Sequence, residues 1–347
     1  MNYPSVAIVI IHWNKRELLE KFLPSVLQSG YPNLQVVLAD NASTDDSVKW
    51  AQIHYPSIQI IQLPQNYGYA GGYNHALKQV KAEYYILLNN DVEVTQNWIE
   101  PIIEAMENNP LMAAAQPKML QYNQKDHFEY AGAAGGFLDH LGYVFCRGRI
   151  FESLEKDHGQ YNNSVQTFWA SGACLFVRAK AFHEVKGFDE DFFAHMEEVD
   201  LCWRFQLAGH QIWYIGTSEV YHLGGSTLQQ GNPQKTYLNF RNSLQMLLKN
   251  SPSKTLLWLI PLRSTLDLLS SIFFLMNAKP EHSWAIHRAH ASFFFKFGKW
   301  WKTRKTVIRR VESNAVKGVY SKAIIMEHFW SNKQNFTELT KIKSLVS

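Results

Sequence analysis

The first 115 residues alternate short β-branched apolar runs with amphipathic segments, and this alternation restricts the fold more than any other feature. Residues 6–11 (VAIVII), 34–39, 58–63, 84–88 and 111–115 have the length and apolar content of buried strands. Between them, 15–29 carries Leu18, Leu19, Phe22, Leu23, Val26 and Leu27 at helical spacing, and Gly30-Tyr31-Pro32 stops it. Residues 45–54, 70–80 and 96–108 are the other expected helices, with Ser43 or Thr44 as a cap for the first of these. The order β-α-β-α-β-α-β predicts an α/β fold, a mostly parallel sheet flanked by helices. Ligands of such sheets sit beyond the carboxyl ends of the strands. Polar residues stand there: Asp40-Asn41 after the second run, Asn66 after the third, Asn89-Asn90-Asp91 after the fourth.

From 120 to 165 the pattern gives way to glycine-punctuated loops and hairpins expected to lie over the site. A strand-like stretch at 167–177, a helix at 198–208 and a strand at 211–216 follow, and a catalytic domain is expected to end near 230. Beyond it, 233–250, 253–277 and 281–302 form an expected C-terminal helical appendage, with Pro233, Pro252 and Pro280 near the helix starts.

Charge excludes one class of partner. A net charge of +4 over 347 residues gives no reason to expect nucleic-acid binding. The three cysteines, Cys146, Cys174 and Cys202, are too far apart for a zinc ribbon and too few for a disulfide scaffold. The opening MNYPSVAIVIIHWN lacks a basic stretch and runs straight into a strand, so no signal peptide is expected, and the chemistry is expected on the cytosolic side.

Two acidic groups carry the chemistry. Asp91 ends an apolar strand in LLNNDVEV, where its carboxylate suits a hard cation, Mg²⁺ or Mn²⁺, shared with substrate phosphates; the same tripeptide is also good turn chemistry. Glu197, Glu198 and Asp200 open a helix among Phe, Met, Leu and Trp. The helix dipole favours acids there, and burial among apolar residues raises a carboxyl toward the range of a general base. Asp200 and Arg204 are spaced to pair across one turn, which would leave Glu198 free. His222, beside the glycines of YHLGGST, is a second candidate metal ligand or a core histidine. Asp40 and Asn41 suit a base or ribose, or a helix cap. Gly68, Gly71 and Gly72 in NYGYAGGYN would let backbone approach a phosphate. The glycines do not follow the first strand, which argues against a dinucleotide-dependent dehydrogenase. The absence of a basic glycine-rich loop after that strand argues against a nucleotidyltransferase.

In order along residues 5 to 227, VAIVIIHWNKRELLEKFLPSVL, VVLADNASTDDS, NYGYAGGYN, LLNNDVEV, ASGACLFVRAKAFHEVKGFDEDFF, EEVDLCWR and VYHLGGST together resemble inverting family 2 glycosyltransferases of the GT-A fold. The likeness is strongest to bacterial rhamnosyltransferase-type enzymes of surface polysaccharide synthesis. The resemblance implies a Rossmann-like catalytic unit over 1–230 and a hexosyltransferase-type reaction. Asp40, Asn41, Asn66, Gly72 and Asn90 would line the nucleotide crevice. Asp91 matches the last acid of the family's DxD metal motif, and His222 a histidine that completes the metal site in some members. Glu198 matches the general base, with Glu197 beside it. Asp200, Trp203 and Arg204 match the tail of that motif on the acceptor side. Two departures stand out: Asn89 replaces the first acid of DxD, and the usual Glu-Asp pair is Glu197-Glu198. A non-catalytic nucleotide-binding scaffold is the alternative that the first departure motivates.

Within 231–347, the segment 255–276 is nearly long enough to span a bilayer, but Arg263 and Asp267 in its middle favour an interfacial or packed helix. Residues 296–310 hold seven Lys/Arg and no acid beside a run of Phe and Trp, a composition suited to an anionic membrane surface. With a polyprenyl-linked glycan as acceptor, this predicts a cytoplasmic protein peripheral on the inner face of the plasma membrane.

Overall fold

A computed structural model describes residues 3–224, 231–312, 315–340 and 345. Gly225, Ser226 and Thr227 of the VYHLGGST motif and the expected boundary at 230 lie outside them. The first half runs β1 (Val6–His12), α1 (Arg16–Leu27), β2 (Leu34–Asp40), α2 (Ser47–His54), β3 (Gln59–Gln62), α3 (Gly68–Leu77), β4 (Tyr84–Asn89), β5 (Val92–Val94), α4 (Glu100–Asn108) and β6 (Met112–Gln121). Then come β7 (Gly136–Asp139), β8 (Val144–Cys146), β9 (Arg149–Ile150), β10 (Ser153–Leu154), β11 (Val165–Gln166), β12 (Cys174–Arg178), α5 (Ala179–Glu184), α6 (Glu197–Leu207) and β13 (Gln211–His222). The remainder is α7 (Pro233–Asn250), α8 (Ser253–Met276), α9 (Pro280–Arg304), β14 (Val319–Tyr320) and α10 (Ile324–Phe329).

The main sheet has the order β11-β13-β6-β12-β4-β1-β2-β3, with β5 paired to β13. β3, β2, β1 and β4 are mutually parallel, as the sequence predicts, and β13 is parallel to β6. β12 is wedged antiparallel between β4 and β6. The apolar runs are buried on both faces, and their alternation sorts side chains between two cores. Ala7 and Val9 of β1 join one cluster; Val6, Ile8 and Ile10 join the other.

Several boundaries differ from the sequence reading. The helix expected from 96 begins at Glu100, because Asn97 takes a left-handed φ of 55°. The strand expected over 167–177 forms only from Cys174. Ahead of it, the Ser171 N–H donates to the Gln116 side chain and the Phe168 carbonyl accepts from Gln206, so side chains replace a ladder. The strand expected at 211–216 continues to His222: a bulge between Ile215 and Glu219 shifts the register, after which Glu219–His222 pairs again with β6.

Residues beyond 230 pack into the same core. Trp300 of α9, Tyr320 of β14 and Phe336 belong to the cluster that contains Phe137, Phe145 and Trp203. β14 adds in parallel to β7, extending the small sheet β10-β9-β8-β7.

Candidate active site

The strand ends converge on two acidic poles. At the first, β4 releases Asp91 and β13 delivers His222, with His222 Nε2 3.1 Å from Asp91 Oδ1. On the other side of the imidazole, Glu129 Oε1 lies 3.2 Å from His222 Nδ1. All three side chains are buried. Burial alone would push His222 toward neutrality, but the charges of Asp91 and Glu129 outweigh it and hold its pKa well above the ordinary value. The backbone ties the pole together: Leu223 N–H donates to the Asp91 carbonyl, and Ala131 N–H to Glu129 Oε2.

The donor types suit a divalent cation once His222 gives up its Nε2 proton: Asp91 Oδ1 and His222 Nε2 face each other, and a carboxylate behind the imidazole is the usual orienting partner of a metal-bound histidine. Among the described residues no cluster of three or more His, Cys, Asp or Glu is arranged as a metal site, so these two side chains would supply the protein's donors and leave the rest of the shell to a phosphate ligand and water. Asn90, expected at the nucleotide, meets His12 Nδ1 at 2.9 Å. His12 is buried at the end of β1, which lowers its pKa, and its Nε2 has no partner.

At the second pole, Glu197 and Glu198 open α6. The turn before the helix is strained: Phe193, His195 and Met196 all have positive φ. Asn242 of α7 holds this turn, its amide donating to the carbonyls of Phe192, Ala194 and His195 at 3.0, 2.9 and 2.7 Å. Glu198 is partly exposed and Glu197 buried, and each has an Oε2 without a hydrogen-bond partner among the described residues. Burial pushes the Glu198 carboxyl up to about 7. Burial and the neighbouring Glu198 push Glu197 well above the carboxylate range.

The stretch 171–173 joins the two poles. Ser171 Oγ donates to the Ala131 carbonyl beside Glu129, and the Asn89 N–H donates to the Ala173 carbonyl. Between them, a Cβ on Gly172 would come within 3.7 Å of Glu198 Cβ and 2.8 Å of the Tyr69 hydroxyl. Tyr69 donates to the Gly172 carbonyl at 2.5 Å. A side chain at 172 would press on the Tyr69 hydroxyl, while Glu198 would stay in ordinary contact.

Other expected site residues have structural duties. Asp200 is fully buried and accepts from Arg204 Nε (2.7 Å), Lys249 Nζ (2.8 Å) and Asn250 Nδ2 (2.8 Å). Burial alone would raise its pKa; Lys249 and Arg204 reverse that and hold it low. It is thus an ionised anchor between α6 and α7 with no role at the reacting atoms. Trp203 is buried edge-on against Phe168, and Arg204 is buried with Nη1 on the Val185 carbonyl, so neither lies on an open acceptor wall. Asp40 accepts from the Ser43 N–H in the turn ahead of α2, whose cap position is Asp46 and not the expected Ser43 or Thr44. Asn41 reaches Asn66 Oδ1 and the Gly68 carbonyl, and Asn66 Oδ1 also accepts from Gly68 N–H. Gly72 does not expose backbone to a phosphate: a Cβ there would strike Ile11 Cδ1 at 2.6 Å and Asn41 Nδ2 at 3.1 Å. The first amides of α3, on Tyr69 and Ala70, are taken by the Phe193 carbonyl. The glycines of NYGYAGGYN therefore seat α3 against β1 and the turn before α6.

Glu129, Asn242 and Lys249 escaped the sequence reading. Glu129 lies in the glycine-rich stretch without a periodic pattern, and the two α7 residues read as the polar side of a helix. Similarity to known sequences decides the family. The family model described as glycosyl transferase family 2 matches residues 7–185, just over half of the chain.

The chain belongs to glycosyltransferase family 2.

Among curated relatives, this glycosyltransferase is 28% identical over 233 residues to the N-acetylglucosaminyl-diphospho-decaprenol L-rhamnosyltransferase of Mycobacterium tuberculosis, covering 62% of this chain and 75% of the relative. It is 26% identical over 226 residues to the rhamnosyltransferase WbbL of Escherichia coli K12, covering 62% and 83%. Among solved structures, GalNAc-T7 with UDP, GalNAc and Mn²⁺ superposes with a TM-score of 0.56 at 14% identity, over 72% of this chain and 48% of that one. The mannosyltransferase PcManGT of Pyrobaculum calidifontis, in complex with GDP-Man and Mn²⁺, gives 0.50 at 16%, over 96% and 89%. The superpositions establish the GT-A fold; the likeness to rhamnosyltransferases of surface polysaccharide synthesis is the one the motifs imply.

Proposed function

We propose that this glycosyltransferase moves a sugar, of the dTDP-rhamnose kind, from its nucleotide donor onto a glycan carried by a polyprenyl lipid, inverting the anomeric configuration. The observation that carries the reading is Glu198: a carboxyl held near neutrality by burial, with an oxygen that has no hydrogen-bond partner among the described residues, beside Gly172 of the loop that bonds to Asn89 and Ala131. Glu198 takes the proton of the acceptor hydroxyl as that oxygen attacks the anomeric carbon and the bond to the diphosphate oxygen breaks. Glu197, protonated in its buried place, leaves the single negative charge of the pair on Glu198. Asp91 and His222 would hold Mg²⁺ or Mn²⁺, which when bound offsets the charge of the departing diphosphate. Asp40, Asn41, Asn66 and Asn90 edge the nucleotide crevice beyond β2, β3 and β4. Residues 1–230 carry both poles, and 231–347 brace the second through Asn242 and Lys249. The names of the two rhamnosyltransferases support rhamnose as the sugar, and that of the Mycobacterium tuberculosis relative supports a diphospho-decaprenol-linked acceptor; with such an acceptor the work would be done on the cytosolic face of the plasma membrane.

Calorimetric titration of UDP, dTDP and GDP, with and without Mn²⁺, into wild type and Asp91→Ala tests the donor half. Metal-dependent binding of dTDP that Asp91→Ala abolishes is expected; absence of binding to all three by a folded protein overturns the reading. Proton NMR of the fresh product tests the chemistry, and a retained anomeric configuration refutes the single displacement.

A further inference from the structure

Helix α8 is built inside out. Its two charged residues after Lys254, Arg263 and Asp267, are buried against the protein. Arg263 donates to the Leu141 carbonyl at 3.0 Å and lies over the Tyr143 ring at 3.9 Å; Asp267 accepts from His290 of α9 at 3.0 Å. Ser271, on the same stripe, meets Ser283 at 2.7 Å. The opposite face holds Leu257 (82% exposed), Leu268, Leu269, Phe273 (63%) and Met276 (82%), and every exposed position from 257 to 276 is uncharged. A helix in contact with water on its outer side has the reverse polarity. By length and composition α8 is apolar enough to cross a bilayer, yet Arg263 in its middle is bonded to the Leu141 carbonyl and Asp267 and Ser271 to α9, contacts that a helix lying flat against the protein keeps.

α9 supplies what an apolar face alone lacks, a statement of what covers it. It exposes Trp284, Phe294 and Phe295 (91%), and its last turns carry Lys299, Lys302 and Arg304, followed by Lys305, Arg309 and Arg310 with no intervening acid. Trp301 stacks on Phe297 within this basic stretch. Lys299 and Arg310 pair with Asp191 and Glu184, and Arg304 and Arg309 donate to carbonyls at the end of α7; the exposed Lys302 and Lys305 are left beside the apolar and aromatic side chains, a combination that matches the anionic headgroups and acyl boundary of a bilayer. A protein partner would call for charges of both signs or polar groups at the rim.

We propose that the α8–α9 hairpin is a monotopic membrane seat: α8 lies in the interfacial plane with its Leu257–Phe273 side among acyl chains, and the 296–310 segment contacts anionic headgroups. The proposal deepens the membrane part of the function above and does not depend on the sugar transferred. It also links membrane to catalysis. α9 is fastened to the turn before Glu197 through Lys299 and the Trp300 indole, both on Asp191. α7, packed on both hairpin helices, holds the same turn through Asn242.

The test is flotation of the full chain with vesicles of phosphatidylcholine alone or with about one-third phosphatidylglycerol. Two double variants are compared, Leu269→Ser with Phe273→Ser, and Lys302→Glu with Lys305→Glu, all at exposed positions. Binding to the anionic vesicles is expected for wild type, with each double variant at least about tenfold weaker. Unchanged thermal melting and nucleotide binding would show that the variants are folded, separating failure here from failure of the transferase reading. Wild type that stays unbound, or variants that float as well as wild type, overturn the proposal. So does a dimer in sedimentation velocity that the Leu269/Phe273 variant dissociates, since a second copy would then be the occupant of this face.

Discussion

Replacing Glu198 with glutamine should make the protein more stable and far less active, and the gain should grow with pH. The carboxyl has an ordinary pKa of 4.5 and is raised to about 7 in the fold. The native state therefore binds this proton more tightly than the unfolded chain does. Stability is full below the unfolded value and falls as pH rises toward the folded one, the reverse of a salt-bridged carboxylate. At 1.36 kcal/mol per pKa unit, the whole shift is worth roughly 3 kcal/mol, of which about 2 kcal/mol is lost between about pH 5.5 and 8. Glu198 is partly exposed, so this is an upper bound. The glutamine amide has no proton to lose over this range, so Glu198→Gln keeps that stability. Urea unfolding of both proteins at the two pH values measures the difference, and transfer assays should show a loss of about 10² to 10⁴-fold. Wild-type activity should rise with pH to a plateau above about 7, as the pair gives up its first proton. If Glu198→Gln is no more stable relative to wild type at pH 8 than at 5.5, or retains wild-type turnover, Glu198 is neither desolvated nor the base.

Lys249→Met strands Asp200 and Asp189, which both accept from Lys249 Nζ; urea unfolding should show a loss of about 3–5 kcal/mol. Asn242→Leu removes the amide that holds the Ala194 and His195 carbonyls at the strained turn, so turnover should fall while nucleotide affinity by calorimetry stays near wild type, with about 1–3 kcal/mol of stability lost. Glu129→Gln removes the charge behind His222, and the Mn²⁺-dependent part of nucleotide binding should weaken by about 10–100-fold. Gly72→Ala drives a methyl into Ile11 and Asn41, and its melting point should drop by the equivalent of about 1–3 kcal/mol.

The parts of this molecule legible in the sequence are those written in local periodicity. The apolar runs 6–11 and 84–88 announce a sheet covered on both faces, and prolines mark the starts of α7 and α9. Asp91 and the Glu197-Glu198 pair stand out because packing alone gives little reason to put acids beside such apolar segments. What local pattern does not carry is a contact between distant segments. The β12 wedge is set by pairing with β4 and β6, and nothing in CLFVR states a direction. His222 lies beyond the strand the sequence predicts, which ends at Gly216, with glycines after it; the bulge between Ile215 and Glu219 lets pairing with β6 resume and carries the strand through to His222. The glycines of NYGYAGGYN suggested phosphate; the space they clear is filled by Ile11, Asn41 and Phe193. Asp200 looked catalytic by its neighbours, and only Lys249 and Asn250, some 50 residues away, reveal it as an anchor.

The pairing of β14 with β7 bears on how the chain is made. Asp139, at the end of β7, accepts from the Ile324 N–H across 185 residues of sequence. At ordinary translation rates that interval takes about 10 to 40 s. Throughout it, the aromatic layer of Phe137 and Phe145 has emerged from the ribosome without the Tyr320 and Phe336 rings that cover it. The nascent protein therefore displays a sticky sheet long before it can close, a natural station for a chaperone. A chain stopped at residue 230 would remain at that station.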